Sequence, residues 1–306
     1  MKRFFKLMAT FLSLSLIFIS SNTYVLANDT LQQNSYKSKL PEPFSHDVTL
    51  YDIEQDILDY IQYNKLDIVY GSEEYIQLLN KFSFNSDDIF DESMIRYYSA
   101  YSSVFLANSN ITLNLNQTIQ DIREKNIHKE NTIKSLIPET DSSKSVYSTY
   151  NVEGAKKYAA NYAMINNYNY PEYGADCTNY ASQIIHEGGG LPTTSQWNIW
   201  AGPDSLAWMS WVNAGAFCTY WGEVRGHIGR TCSSLSDVNR YANPGDFIVW
   251  RNKDTLEFFH TQFVQSKING EIFCSQHSPH YYNNKLNDKY TESSFRGNII
   301  YQLDFT

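Results

Sequence analysis

Gly174-Ala175-Asp176-Cys177-Thr178-Asn179-Tyr180-Ala181-Ser182-Gln183-Ile184-Ile185-His186-Glu187-Gly188-Gly189-Gly190 reads as a loop, a helix and a stop. Ala181, Ile184 and Ile185 keep helical spacing, Asp176 is a residue type that caps helix starts, and the three glycines supply the φ > 0 positions at which helices end. Cys177 then falls on the first turn. There the unpaired backbone N–H groups and the positive end of the macrodipole favour thiolate over thiol, so the sequence predicts a lowered cysteine pKa. Most cysteines are small buried hydrophobes. A chemical role for this one requires a base elsewhere in the chain.

A hairpin supplies a candidate. His260–Ile268 and Glu271–His277 are strand-like runs separated by Asn269-Gly270, a two-residue turn that sets the register of the strands it joins. Counting back from the turn, Ile268 faces Glu271, Val264 faces Ser275 and Gln262 faces His277. His260 lies two residues from Gln262, hence on the same face as His277 and diagonal to it, at a separation of about 7–8 Å that side chains can close. The count thus predicts a base and an orienting partner on one face of a sheet. A bulge in either strand would shift the register and put Gln276 in the place of His277.

Asp-Cys-Thr-Asn-Tyr-x-Ser-Gln followed by a glycine cluster resembles the signature of the bacterial "putative amidase domain" family, over about residues 149–306. That family is grouped with the papain-like cysteine hydrolases. It is similar in plan to the NlpC-type and CHAP-type cell-wall peptidases, in which a cysteine at a helix start is served by a histidine on a following sheet. The resemblance implies an α+β domain with the nucleophile helix packed on an antiparallel sheet. It also implies Cys177 as nucleophile, His260 as general base and His277 as the group that orients the base. Because the related peptidases place an aromatic or amide group just upstream of the cysteine, it makes Tyr170, with Asp176, a candidate for oxyanion or substrate binding. No cofactor is implied.

Working outward, Glu153–Ala163 shows Ala155, Tyr158, Ala159 and Tyr162 on one helical face. Trp197, Trp200, Trp208, Trp211 and Trp221 crowd the segment after the glycines, as a packed subdomain with some rings lining a groove. Phe247–Trp250 reads as a buried strand behind the turn Pro244-Gly245-Asp246. Earlier in the chain, Leu50, Ile53, Ile57 and Ile61 form a helical stripe, Ser72-Glu73-Glu74 opens a helix over Tyr75–Phe82, and Met94–Ala107 is a third helix. Ile111–Ile127 reads equally as helix or as helix preceded by a short strand. Glu139–Tyr150 has the composition of a linker. The expected organisation is therefore residues 28–145 as a small, mostly helical domain with a mobile leader, and residues 146–306 as the hydrolase domain. The first of these carries no nucleophile and base at a useful spacing. It either restrains or positions the second, or simply completes the core or recognises a partner.

Residues 1–27 combine Lys2, Arg3 and Lys6 with the apolar run Leu7–Ile19 and small residues before Asn28, which is the pattern of a secretory signal peptide. The expected mature chain is secreted, extracellular or associated with the cell wall, with no stable membrane insertion. The net charge is −9, and residues 28–145 carry 19 acidic against 10 basic side chains. Such a chain is repelled by phosphate backbones, which argues against nucleic acid as a partner. Cys218 and Cys232 are near enough in sequence to bridge. No two cysteines have Cys-x-x-Cys spacing, and His186-Glu187 lacks the second His of a His-Glu-x-x-His zinc site. No Gly-x-Ser-x-Gly elbow is present. The reading with most support is a secreted cysteine hydrolase of amide bonds, with peptidoglycan stem peptides as substrate. The alternatives are a secreted protease or peptide amidase acting on proteins, and a non-catalytic binding module on the same fold.

Overall fold

The computed structural model describes residues 36–84, 92–107, 113–136 and 149–306, except residues 42, 204, 291 and 296. The expected signal peptide and residues 139–148 of the expected linker lie outside the described residues. Residues 36–306 form one compact α+β unit.

Four helices come first: α1 (Leu50–Tyr63), α2 (Glu73–Phe84), α3 (Glu92–Ala107) and α4 (Ile119–Leu136). α1 starts where the Thr49 side chain accepts from the Asp52 N–H while the Asp52 carboxylate accepts from the Thr49 N–H, a reciprocal cap. Thr49 also bridges to Thr118, so both readings of Ile111–Ile127 hold in part: one extended bridge, then α4. Leu50, Ile53, Ile57, Leu79, Tyr97 and Tyr101 are among the buried residues of this layer.

The second half is built on a six-stranded antiparallel sheet in the order β1-β6-β2-β3-β4-β5. Its strands are β1 (Ile228–Cys232), β2 (Phe247–Asn252), β3 (Phe258–Ile268), β4 (Glu271–Gln276), β5 (Tyr281–Lys285) and β6 (Asn298–Leu303). One face carries Phe247, Val249 and Phe263 and is covered by α5 (Val152–Tyr162), α6 (Cys177–Gln183), α7 (Leu206–Val212) and α8 (Ala214–Cys218). The opposite face carries Ile248, Trp250 and Val264 and meets α9 (Leu235–Tyr241) and α10 (Leu286–Lys289). Cys218 belongs to the first core and Cys232 to the second. The sheet lies between them, and all four cysteines are free, so the bridge that their spacing allows does not form.

The helix that opens at Cys177 runs on past Gln183 as a π-helical turn, Ile184–Gly188, before the chain turns away. Only Gly190 has positive φ (+76°). Gly188 serves a different purpose from the expected stop: a Cβ there would stand 2.7 Å from the Ala155 Cα, so its absence lets the π turn touch the backbone of α5. Trp197, Trp211 and Trp221 are wholly buried beside α6, whereas Trp200 is exposed. Each buried ring removes roughly 150–250 Å² from water, worth about 4–6 kcal/mol by area. Most of the tryptophan-rich segment is therefore core.

The helical layer grips the turn between β2 and β3. Arg123 Nη1 donates to the carbonyls of Lys253 and Asp254, Asn126 to that of Thr255, and Asn252 Nδ2 to Ser99 Oγ. Arg251 pairs with Glu130 at 2.5 Å.

Candidate active site around Cys177 and His260

All seven residues of α6 are buried, Cys177 at 5% exposure. The helix is held from behind by polar groups that the tryptophans and their loop supply. Trp211 Nε1 donates to Asn179 Oδ1 at 2.9 Å, Ser182 Oγ to the Trp211 carbonyl at 2.8 Å, and Trp197 Nε1 to Ser182 Oγ at 3.1 Å. Towards β3, the hydroxyls of Thr178 and Thr261 lie 3.0 Å apart, which brings the start of α6 against the residue that follows His260.

The Asn269-Gly270 turn forms as expected, with φ of 52° and 81°. Ile268 faces Glu271, Lys267 faces Ile272 and Ser266 faces Phe273. Between Val264 and Ser266 the register shifts, so that Val264 faces Cys274 and Phe263 faces Ser275. The extra residue is Gln265, whose buried side chain turns away to donate to the Lys156 carbonyl in α5. Because side chains alternate along a strand, one inserted residue moves every later position to the other face. The expectation that Gln262 faces His277 is therefore corrected. Gln276 takes that place, with its Oε1 2.5 Å from His260 Nε2 and 2.7 Å from Gln262 Nε2.

His277 sits on the opposite side of the chain from His260. Its Nδ1 is 2.7 Å from Asp176 Oδ2 and its Nε2 is 2.7 Å from the Tyr162 carbonyl, and its ring stacks on Tyr180 at 4.1 Å. Carboxylate and carbonyl oxygens only accept, so each ring nitrogen meets an acceptor. His277 thus ties the end of α5 to the start of α6. Asp176 occupies the position before the helix, yet its side chain makes no cap hydrogen bond. Its other oxygen accepts from the Tyr173 N–H and from Asn179 Nδ2, so the carboxylate is fully engaged in holding the loop.

Tyr170 does not approach the sulfur through its hydroxyl. The hydroxyl donates to Glu187 Oε1 at 2.6 Å. Glu187 lies ten residues beyond Cys177 on the same helical run, about 15 Å along its axis. The ring stacks on Trp211 at 6.0 Å and makes part of the tryptophan wall.

The electrostatics differ from the helix-start expectation. Burial pushes the Cys177 thiol up, and the amide of Thr261 and the hydroxyl and amide of Thr178 only partly offset it. Burial also pulls His260 down from 6.5 to about 4, with the bond to Gln276 acting the other way. Both groups are thus neutral at pH 7. Low-dielectric surroundings disfavour each charged form, so the resting pair is thiol and imidazole and not thiolate and imidazolium.

The hydrogen bonds also fix which nitrogen of His260 carries the proton. Gln276 Nε2 donates to the Pro279 carbonyl at 2.9 Å, which points Oε1 at His260. His260 Nε2 must then donate to that oxygen. Nδ1 keeps its lone pair, and among the described residues it has no hydrogen-bond partner. The role of Gln276 was readable in the sequence only as the consequence of a bulge, and nothing along the strand announced one.

An open cavity of about 470 Å³ lies elsewhere, in the helical layer, lined by residues that include Lys39, Tyr51, Asp52, Gln55, Asp56 and Asp59. Its lining contains neither cysteine nor histidine, so chemistry and not cavity size selects the site at Cys177. Among the described residues no three His, Cys, Asp or Glu side chains gather as a metal site, and no helix is long and apolar enough to cross a membrane.

Residues 149–299 match the family model described as "Putative amidase domain". The match spans the helix of Cys177, the bulged hairpin and most of the sheet. The family's description points to hydrolysis of amide bonds. Comparison with curated proteins and with solved structures finds no match for the chain.

Proposed function

We propose that this protein is an exported cysteine amide hydrolase of papain-like plan, acting on the stem peptides of peptidoglycan. The observation that carries the reading is the bond from His260 Nε2 to Gln276 Oε1, which leaves Nδ1 as a proton acceptor one residue before Thr261, the β3 residue against which the start of α6 packs. His260 Nδ1 removes the thiol proton as the Cys177 sulfur attacks the carbonyl carbon. The backbone N–H of Cys177, at the start of the helix, donates to the developing oxyanion. The same proton then passes from Nδ1 to the departing amine, leaving a thioester on Cys177. Water, deprotonated by His260, releases the acid and restores the thiol. Because the resting pair is neutral, proton transfer accompanies the attack. Gln276 takes the orienting role that the unbulged count gave to His277, while His277 and Asp176 hold the loop that carries the nucleophile. The aromatic wall of Tyr170, Tyr173 and Trp208 is the nearest candidate for a substrate-facing surface. The grip of α3 and α4 on the turn before β3 makes the helical layer a support for the strand of His260.

The test uses the chain from residue 28. It is expected to release amino groups from purified peptidoglycan and to acquire iodoacetamide at Cys177 ahead of Cys218, Cys232 and Cys274, with Cys177→Ala inert. Release from casein alone would transfer the substrate to proteins. Full activity in Cys177→Ala would overturn the cysteine mechanism.

A further inference from the structure

The neutral amide chain behind His260 is closed at both ends by groups with no choice of role. At one end the Trp250 indole, which can only donate, gives its Nε1–H to Gln262 Oε1 at 2.7 Å. At the other, the Pro279 carbonyl, which can only accept, takes the Gln276 Nε2–H. Between them Gln262 Nε2 donates to Gln276 Oε1 at 2.7 Å and to the hydroxyl of Tyr281, with the hydroxyl of Tyr290 3.2 Å away. Every amide in the chain therefore has one permitted orientation. The side chains of Trp250, Gln262, Gln276, Tyr281 and Tyr290 are buried, so around Gln262 water is a poor substitute for a missing partner.

We propose that Gln262, clamped by Trp250, is a positioning residue that acts through Gln276 to hold His260 in the tautomer protonated at Nε2. The inference rests on the proposed role of His260 as the base. Among the described residues Gln276 Oε1 is the only acceptor offered to His260 Nε2, and it keeps facing the ring only while the amide of Gln276 does not rotate. Rotation would present Nε2 of Gln276 to the histidine, move the imidazole proton to Nδ1 and remove the lone pair on that nitrogen. Pro279 opposes that rotation from one side. Gln262 opposes it from the other, because a rotated Gln276 would set two N–H donors against each other. Gln262 can itself present only a donor, since its oxygen is committed to Trp250. Trp250 lies directly across the strands from His260 and so extends the register of β2 into the site.

The experiment reads the tautomer directly, by long-range ¹H–¹⁵N correlation of the histidine rings in the chain from residue 28, with His260 assigned through its loss in His260→Gln. In the wild type the Nδ1 of His260 is expected at the shift of an unprotonated nitrogen. Gln262→Met removes the donor at constant length and is expected to mix the tautomers and lower kcat roughly tenfold with KM unchanged. Gln262→Glu sharpens the test. While its carboxyl is protonated it can donate to Gln276 as the amide did, and His260 stays protonated at Nε2. Once ionised it offers only acceptors, and the tautomer and kcat shift together along a new pH limb. If Gln262→Met does not fold, the Gln262→Glu titration alone decides. A His260 tautomer that is unchanged in Gln262→Met, or unchanged across the Gln262→Glu titration, overturns the proposal. Because the tautomer is read without substrate, a failure of the hydrolase reading would show as absent turnover with the tautomer result intact.

Discussion

The helical layer and the sheet both bury polar groups, and they satisfy them with opposite chemistry. In the helices the buried acceptors are carboxylates. Asp56 accepts from the hydroxyls of Tyr36, Ser38 and Tyr98 and from the Lys39 N–H, and Glu54 accepts from the Tyr101 hydroxyl. Burial and these carboxylates push the phenols of Tyr98 and Tyr101 far above their ordinary value, so each bond keeps its proton on tyrosine. Behind His260 the acceptors are neutral amides, and among the described residues no carboxylate bonds to the imidazole. A carboxylate in the place of Gln276 would draw His260 towards its charged form. The neutral amide orients the ring and leaves it low enough to remain a base. The first cluster locks its protons, whereas the second leaves one nitrogen open.

Four measurements would break or sharpen this contrast. The largest effect is expected from His260→Ala, which should lower turnover by at least about 10⁴-fold while urea unfolding stays cooperative. Retention of more than a few per cent of activity would move the base elsewhere. Asp56→Ala comes next: it leaves several buried donors without their acceptor, each costing about 1–3 kcal/mol. The expected loss is about 4 kcal/mol of stability, with the rate of Cys177 alkylation unchanged in the protein that remains folded. An unaltered unfolding curve would mean that the tyrosines find other partners and that the helical cluster is not locked.

The third measurement uses pH. Because His260 titrates near 4 in the folded chain and near 6.5 when exposed, between those values the unfolded state binds a proton that the folded state refuses. The contribution is whole above pH 6.5. It is lost as the pH falls towards 4, at a cost of about 3 kcal/mol. Urea unfolding at pH 7 and pH 4 should show this difference in the wild type and a smaller one in His260→Gln. Equal slopes would place the pH dependence in another group. The smallest effect is a control within the helices: Thr49→Ala removes the cap of α1 and should cost about 1 kcal/mol by the same unfolding measurement, with no change in turnover.

Much of the local structure was legible because it depends on local chemistry. The apolar spacing of Leu50, Ile53, Ile57 and Ile61 and the Asn269-Gly270 turn need no distant partner to be recognised, and α1 and the β3–β4 turn stand where they were expected. The roles of Tyr170 and Asp176 were not legible. Each is set by a residue far along the chain, Glu187 and His277 respectively, that the fold delivers. The expected low pKa of Cys177 failed for a related reason: position on a helix is visible in sequence, but burial of the sulfur is a property of the whole packing around it.

By itself the sequence determined that a cysteine opens a helix, that a histidine lies on the strand before a tight turn, and that a second polar residue on the return strand must meet it. Which residue that is, Gln276 or His277, only the tertiary structure decided. The physical reason is the bulge at Gln265, where the side chain leaves the ladder to reach the Lys156 carbonyl of a helix more than a hundred residues earlier. An alternation of period two converts that one displaced residue into an exchange of faces for everything beyond it.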